Sequence, residues 1–363
     1  MATNTPHPVR SARRCISRFF FATTVAIATF SALALAGALN AGPELAKANG
    51  KAGTSGASGQ SFGYPVKPFN QEHPIRGNFG DPRMQFSGPP TLDTLLHGSG
   101  KFLFHQGVDI AAPNGTAVYP VADGTVTVVD LAKEWVRVDS GRREFEYWHI
   151  RPLVRVGQAV QAQQTVLGHI MRPAGHVHLT EYENGRVTNP LAPGGLAPYH
   201  DSTKPTVHSI AFRRTDTGPA LLPTFVRGSV EIVVDAEDTP TMPVPGQWHG
   251  MPTTPALISW RVNRDGGRAV VPERIAVDFR TTVPGTAAFW HVYARGTYQN
   301  MAVFGQHYSY LQRGDYLFKL ASQFDTRSLR DGVYDLIITA TDIRGNTDSQ
   351  SLRFTVHNRG GWH

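Results

Sequence analysis

Cysteine is almost missing from this chain of 363 residues. Cys15 is the only one, and it lies in an N-terminal stretch with the layout of a targeting segment. Beyond that stretch, disulfides, cysteine-based zinc sites and thiol nucleophiles are excluded. Chemistry there must come from His, Asp, Glu, Ser, or a metal held by nitrogen and oxygen. Charged residues are sparse too, at 17%. No stretch looks like a nucleic-acid patch, so no nucleic-acid partner is expected. No internal repeat is long enough for a solenoid. What the sequence has in quantity is turn-formers, 36 glycines and 26 prolines. They favour many short strands over helical bundles, and the length suffices for about two domains of ~150 residues.

Arg10, Arg13, Arg14 and Arg18 precede an apolar or small-residue run from Phe19 to Leu39, and "AGALNAG" offers cleavage sites after Ala38 or Ala41. Residues 1–41 therefore read as a secretory signal peptide, and the protein is expected to be exported. The run is also long enough for a retained anchor, which needs ~20 residues, although its Ala and Thr content favours cleavage. Removing the four arginines takes the net charge from +7 to +3. That mild excess suits association with anionic envelope polymers. Residues 42–63, containing "NGKAGTSGASGQSFG", read as a flexible linker.

Two β-rich regions follow. Over residues 64–200, "ADGTVTVVD", "EWVRVD" and "EFEYWHI" are strand-like, and "VRVGQAVQAQQTVLG" turns at Gly157. Over residues 204–358, "GSVEIVVDAED", "LISWRVN" and "DGVYDLIITATD" alternate apolar and polar positions, as half-buried antiparallel strands do. The second region resembles bacterial immunoglobulin-like or fibronectin-type sandwiches. The expected fold class is mainly β.

Histidine placement points to chemistry. In "GHVHL", His176 and His178 share one strand face, with Val177 and Leu179 on the other. Upstream, "FHQGVDIAAPNGTAV" sets His105 four residues before Asp109. Gly107, Val108, Ile110 and Pro113 argue against a helix, so the pair must converge by a bend at Gly107. Catalytic zinc usually takes three nitrogen or oxygen ligands at ~2.0–2.2 Å and keeps one position for water. His105, Asp109 and one histidine of the 176/178 pair make three. The other histidine of the pair would address the water. His149, in "YWHI", is a further candidate, although its strand face carries Phe145 and Tyr147.

Taken together, these motifs resemble the lysostaphin-type (LytM) zinc endopeptidases of bacterial peptidoglycan. That family shows H-x-x-x-D, then a lone His near a Tyr, then H-x-H. Here they stand as His105 to Asp109, Tyr147-Trp148-His149 and His176-Val177-His178. The flanks "HPIRGNFGDPR" and "NGRVTNPL" agree in order, so the resemblance spans about Phe62 to Leu196. It implies one zinc on His105, Asp109 and His178, with His149 and His176 as the catalytic pair. The implied substrate is the peptide of murein stems or cross-links.

The chain departs from the pattern at three places. The family usually carries Glu two residues after the second His of the pair, where Thr180 stands, and Glu181 would face the other way. The loop "GHIMRPAG" is short and adds His169. The segment "SGPPTLDTLLHGSGKFLF", residues 87–104, reads as an insertion that would cover the cleft if it acted as a lid. His97 and His169 read as surface residues, and Arg83 as facing either the cleft or a surface ion pair. The aromatic stretch with Trp290, Tyr293, Tyr298, Tyr308 and Tyr310 reads as sandwich core before sugar-binding face. Three other functions fit the same residues: a non-catalytic scaffold for wall hydrolases, a closed structural zinc site in an adhesin with His149 as fourth ligand, and a secreted peptidase acting on proteins.

Overall fold

A computed structural model describes residues 61–85, 101–304 and 309–359. The expected signal segment, nearly all of the expected linker and most of the 87–104 insertion lie outside the described residues. Among the described residues, no helix is long and apolar enough to cross a membrane.

The first half is built on an eight-stranded sheet. Its order runs Ile75–Gly77, Val108–Ala111, His176–Glu183, Arg143–Trp148, Trp135–Asp139, Gly124–Asp130 and Ala159–Val160, with Arg186–Thr188 paired off the path. Neighbours in this order are antiparallel. The central strands explain themselves by alternation. Val177, Leu179, Phe145, Tyr147, Val136 and Val138 are all fully buried on one face. The residues between them point to the opposite face, where His178 stands in register with Asp109 on one side and Trp148 on the other. A smaller sheet of Ala117–Val118, Gly168–Ile170 and Ile150–Pro152 completes this half.

The second half forms a three-stranded sheet (Thr206–Arg213, Ser229–Glu237, Leu317–Asp325) and a four-stranded sheet (Ala269–Asp278, Leu257–Arg264, Gly332–Thr341, Thr347–Val356). They pack face to face. Phe212 meets Phe354 with ring centroids 4.9 Å apart, and Trp260 meets Phe324 at 5.9 Å. The fold is mainly β, as the alternation implied.

Three expectations change. The linker ends earlier than residue 63: Phe62 is buried, bridges Leu196 and packs edge-on against Phe145. The end of the 87–104 segment, Lys101–Phe104, is not an addition to the fold but a strand of it, paired with Pro82–Gln85. And the aromatic stretch near Trp290 is neither an open sugar face nor purely sandwich core. Phe102 and Phe104 from the first half pack against Phe289, Trp290 and Tyr293 of the second, with centroids 4.5–5.9 Å apart. The side chains of Tyr308 and Tyr310 lie outside the described residues.

Polar contacts lock the same junction. Thr254 N donates to Asp81 Oδ1 at 2.7 Å, and Asn78 Nδ2 donates to Thr253 Oγ1 at 3.0 Å. Tyr293 OH donates to Gly80 O at 2.8 Å. Gly80 has a φ of +95°, and a Cβ there would stand 2.4 Å from the Phe279 ring. Only glycine satisfies both the backbone and the close approach.

Candidate metal centre

The strand Val108–Ala111 carries Asp109, and His105 precedes it by one turn of irregular chain. The two converge as the motif required: His105 Nε2 is 3.1 Å from Asp109 Oδ1. Gly107 allows this through space rather than backbone freedom. A Cβ there would lie 2.3 Å from Leu179 O and 2.8 Å from the His178 ring. His178 comes in from the next strand, its Nδ1 2.7 Å from His105 Nε2 and 3.1 Å from Asp109 Oδ1.

The protons on these rings follow from their other contacts. Asn78 O, 2.8 Å from His105 Nδ1, can only accept, and Arg83 Nη2, 3.0 Å from that nitrogen, already donates to Asp109 Oδ2, so the His105 proton is assigned to Nδ1. Thr180 Oγ1 lies 2.8 Å from His178 Nε2, where it can accept that ring's proton once Nδ1 serves as a ligand. His105 Nε2, His178 Nδ1 and Asp109 Oδ1 therefore bring three unprotonated lone pairs to one point. Donors at 2.0–2.1 Å from a tetrahedral ion stand about 3.3–3.4 Å apart. Separations of 2.7, 3.1 and 3.1 Å are close to that spacing, and a cation removes the repulsion. The donor set fits zinc. These three residues form one of two groups among the described residues with metal-holding spacing.

Electrostatics favour the same state. Burial would raise the Asp109 carboxyl, but His105, His176 and Arg83 hold it well below the usual carboxylate range. Arg83 Nη2 donates to Asp109 Oδ2 at 2.8 Å, and its Nη1 reaches Asp81 Oδ2 at 3.3 Å. Arg83 is thus half-buried behind the site, pairing two carboxylates, and not a surface residue. Burial, with Arg83 adding to it, pushes His105 down to about 3. His149 is held well below the usual value by burial and by His176. His176 is lowered by burial and by Arg76.

His176 donates from Nδ1 to Ala174 O at 2.8 Å, which leaves Nε2 as an acceptor facing the site. That Nε2 lies 3.4 Å from Asp109 Oδ1 and 3.4 Å from Arg76 Nη2. The ring of His149 stands 4.6 Å from that of His176 and 6.4 Å from that of His178. Strand alternation would have turned His149 toward the Phe145–Tyr147 core. A left-handed backbone, φ +64°, turns it to the site instead. It is not one of the three groups with mutual ligand spacing, which argues against a closed four-ligand site.

All five expected residues therefore come together. Glu181 does face away, ion-paired to Arg143 at 3.2 Å. His169 is exposed, and His97 lies outside the described residues. Sequence reasoning missed Arg76 and Trp248. Arg76 sits in the flagged "HPIRGNFGDPR" segment, but Trp248 carried no local signal. Its ring, from the second half, lies 4.0 Å under the Arg76 guanidinium.

Part of the chain is similar to known proteins. Residues 103–190 match the model of Peptidase family M23, a segment that contains all five residues. An uncharacterized metalloprotease of Haemophilus influenzae is 34% identical over 102 residues, 26% of this chain. The chain spans only 22% of that relative's length. A zinc-containing peptidase from Vibrio cholerae is 24% identical, covering 36% of this chain and 39% of that one, with a TM-score of 0.27. The catalytic domain of the prophage-encoded M23 protein EnpA of Enterococcus faecalis is 24% identical. That match covers 39% of this chain and 100% of that one, with a TM-score of 0.26.

Proposed function

We propose that the protein is an exported zinc endopeptidase that hydrolyses peptide bonds in the stems or cross-links of peptidoglycan. The observation that carries this reading is the meeting of His105 Nε2, Asp109 Oδ1 and His178 Nδ1 within 3.1 Å, with two further imidazoles beside them. The match of residues 103–190 to the M23 peptidases supports it.

His105, Asp109 and His178 would hold the ion. Zinc bound there supplies Lewis acidity and lowers the pKa of a water from about 15.7 toward ~7. His176 is neutral at neutral pH and presents Nε2, so it accepts the proton of the attacking water and returns it to the departing amine. His149, beside it, steadies the oxygen that gains charge. General acid–base assistance of this kind contributes ~10²–10⁴-fold. Arg83 keeps Asp109 ionised throughout. The immunoglobulin-like second half buttresses the turn at residues 78–81 behind His105, and the mild positive charge of the chain beyond residue 41 suits anionic wall polymers.

The test is digestion of purified murein together with zinc analysis. His178→Ala is expected to lose both zinc and activity, and His149→Ala to keep zinc while turnover falls about 10²-fold or more. Mass spectrometry of the products identifies the bond. If both variants release muropeptides like the parent, the reading fails.

A further inference from the structure

Arg76 is not accounted for by the proposed hydrolysis. It lies on the strand Ile75–Gly77, at the edge of the sheet that carries the metal centre. Its guanidinium is stacked on the Trp248 ring at 4.0 Å. Nη1 donates to Ala174 O at 3.0 Å, and Nη2 lies 3.4 Å from His176 Nε2. Nε is buried and has no partner. Of the five N–H groups, these contacts use two.

The charge is unbalanced as well. Among the described residues no carboxylate stands within ion-pair distance of Arg76, whereas Arg83, its neighbour in the site, pairs with Asp81 and Asp109. Burial, opposed by Asp109, brings Arg76 down only to about 10, so it stays a cation at neutral pH. Setting a desolvated cation beside a catalytic imidazole without an anion in contact is costly. Such a fork matches a carboxylate held by two parallel N–H···O bonds.

We infer that Arg76 binds a free carboxylate of the peptide substrate, on a residue adjoining the scissile bond, and that Trp248 of the second half positions it. The placement follows from reach. Nη2 touches the imidazole that handles the water proton, and one residue of extended chain spans ~3.3–3.6 Å. Stacking on an indole fixes the plane of the fork, so the two halves of the chain share one substrate site. This inference rests on the proposed hydrolysis for its substrate, but its binding step is measured separately.

The test uses one wall peptide in two forms, with the carboxylate next to the scissile bond either free or as its carboxamide. Calorimetry on the full-length, metal-free protein reads binding, and KM and kcat on the zinc-loaded protein read catalysis. The parent is expected to prefer the free acid on the order of 30- to 100-fold, expressed in Kd and KM. R76Q is expected to bring the ratio, in Kd and in KM, to about one. R76K should retain part of the preference. W248A should reduce the preference with zinc content unchanged, and W248F should restore most of it. Equal binding of the two peptides by the parent, or an unchanged ratio in R76Q, overturns the inference. A parent that prefers the acid but cleaves neither peptide overturns the hydrolysis and leaves the carboxylate site standing.

Discussion

The hydroxyl of Thr180 lies 2.8 Å from Nε2 of His178, two residues along the same strand face. A hydroxyl there can accept the proton of Nε2, which leaves Nδ1 to face His105 and Asp109. The family that these motifs resemble usually carries Glu at this place, and here a neutral hydroxyl stands instead. Thr180→Val keeps the shape and removes the acceptor. It should weaken zinc binding by ~10–100-fold, measured by competition with a chelator, while Thr180→Ser stays near the parent. Equal affinities for Val and Ser would show that the hydroxyl has no such part.

Arg83 bridges Asp81 and Asp109, both nearly inaccessible to solvent. Arg83→Met leaves two buried carboxylates without their cation. Breaking a buried pair from one side costs about 3–5 kcal/mol, so thermal unfolding should move down by many degrees. Arg83→Lys should recover part of the loss. A melting temperature unchanged by the Met substitution would refute this.

Gly80 combines a φ of +95° with a 2.4 Å approach to the Phe279 ring across the junction. Gly80→Ala is therefore expected to destabilise by about 1–3 kcal/mol, read by denaturant unfolding. Adding Phe279→Leu to Gly80→Ala makes room for the methyl, and the double variant should lose less than the sum of the singles. Strict additivity would place the cost in the backbone alone.

Acid should loosen the metal-free protein. His105, held at about 3 by burial and Arg83, and His149 and His176, lowered by burial first, stay neutral when folded. The unfolded chain protonates them below about 6.5. Stability is therefore whole above that pH and is lost as pH falls toward the folded values. Glu181 works the other way. Burial lifts it to about 7, so its share is present at low pH and lost as pH rises from 4.5 through 7. Between pH 7 and 4.5, the melting temperature of metal-free protein should fall, more steeply in Glu181→Gln and less so in a His149→Ala, His176→Ala double variant. A profile with the same slope in all three would contradict the assignment.

Strand periodicity was enough to put His176 and His178 on one face, because alternation along a strand is a local property of the backbone. It also placed Glu181 on the other. The H-x-x-x-D spacing told that His105 and Asp109 would meet, but the reason for Gly107 was hidden: the strand that crowds it lies about seventy residues away. His149 shows the limit of periodicity. Alternation aimed it at the core, and a single left-handed residue reversed it.

The sequence by itself determined a mainly β protein and five side chains, His105, Asp109, His149, His176 and His178, that the fold brings together, since spacing, residue type and alternation are carried by short stretches of chain. The tertiary structure alone decided that the second half is built into that cluster. Thr254 on Asp81, Phe279 over Gly80 and Trp248 under Arg76 join residues 160 or more positions apart. Such contacts follow from how two separately patterned surfaces pack, and packing leaves no periodic trace in either segment.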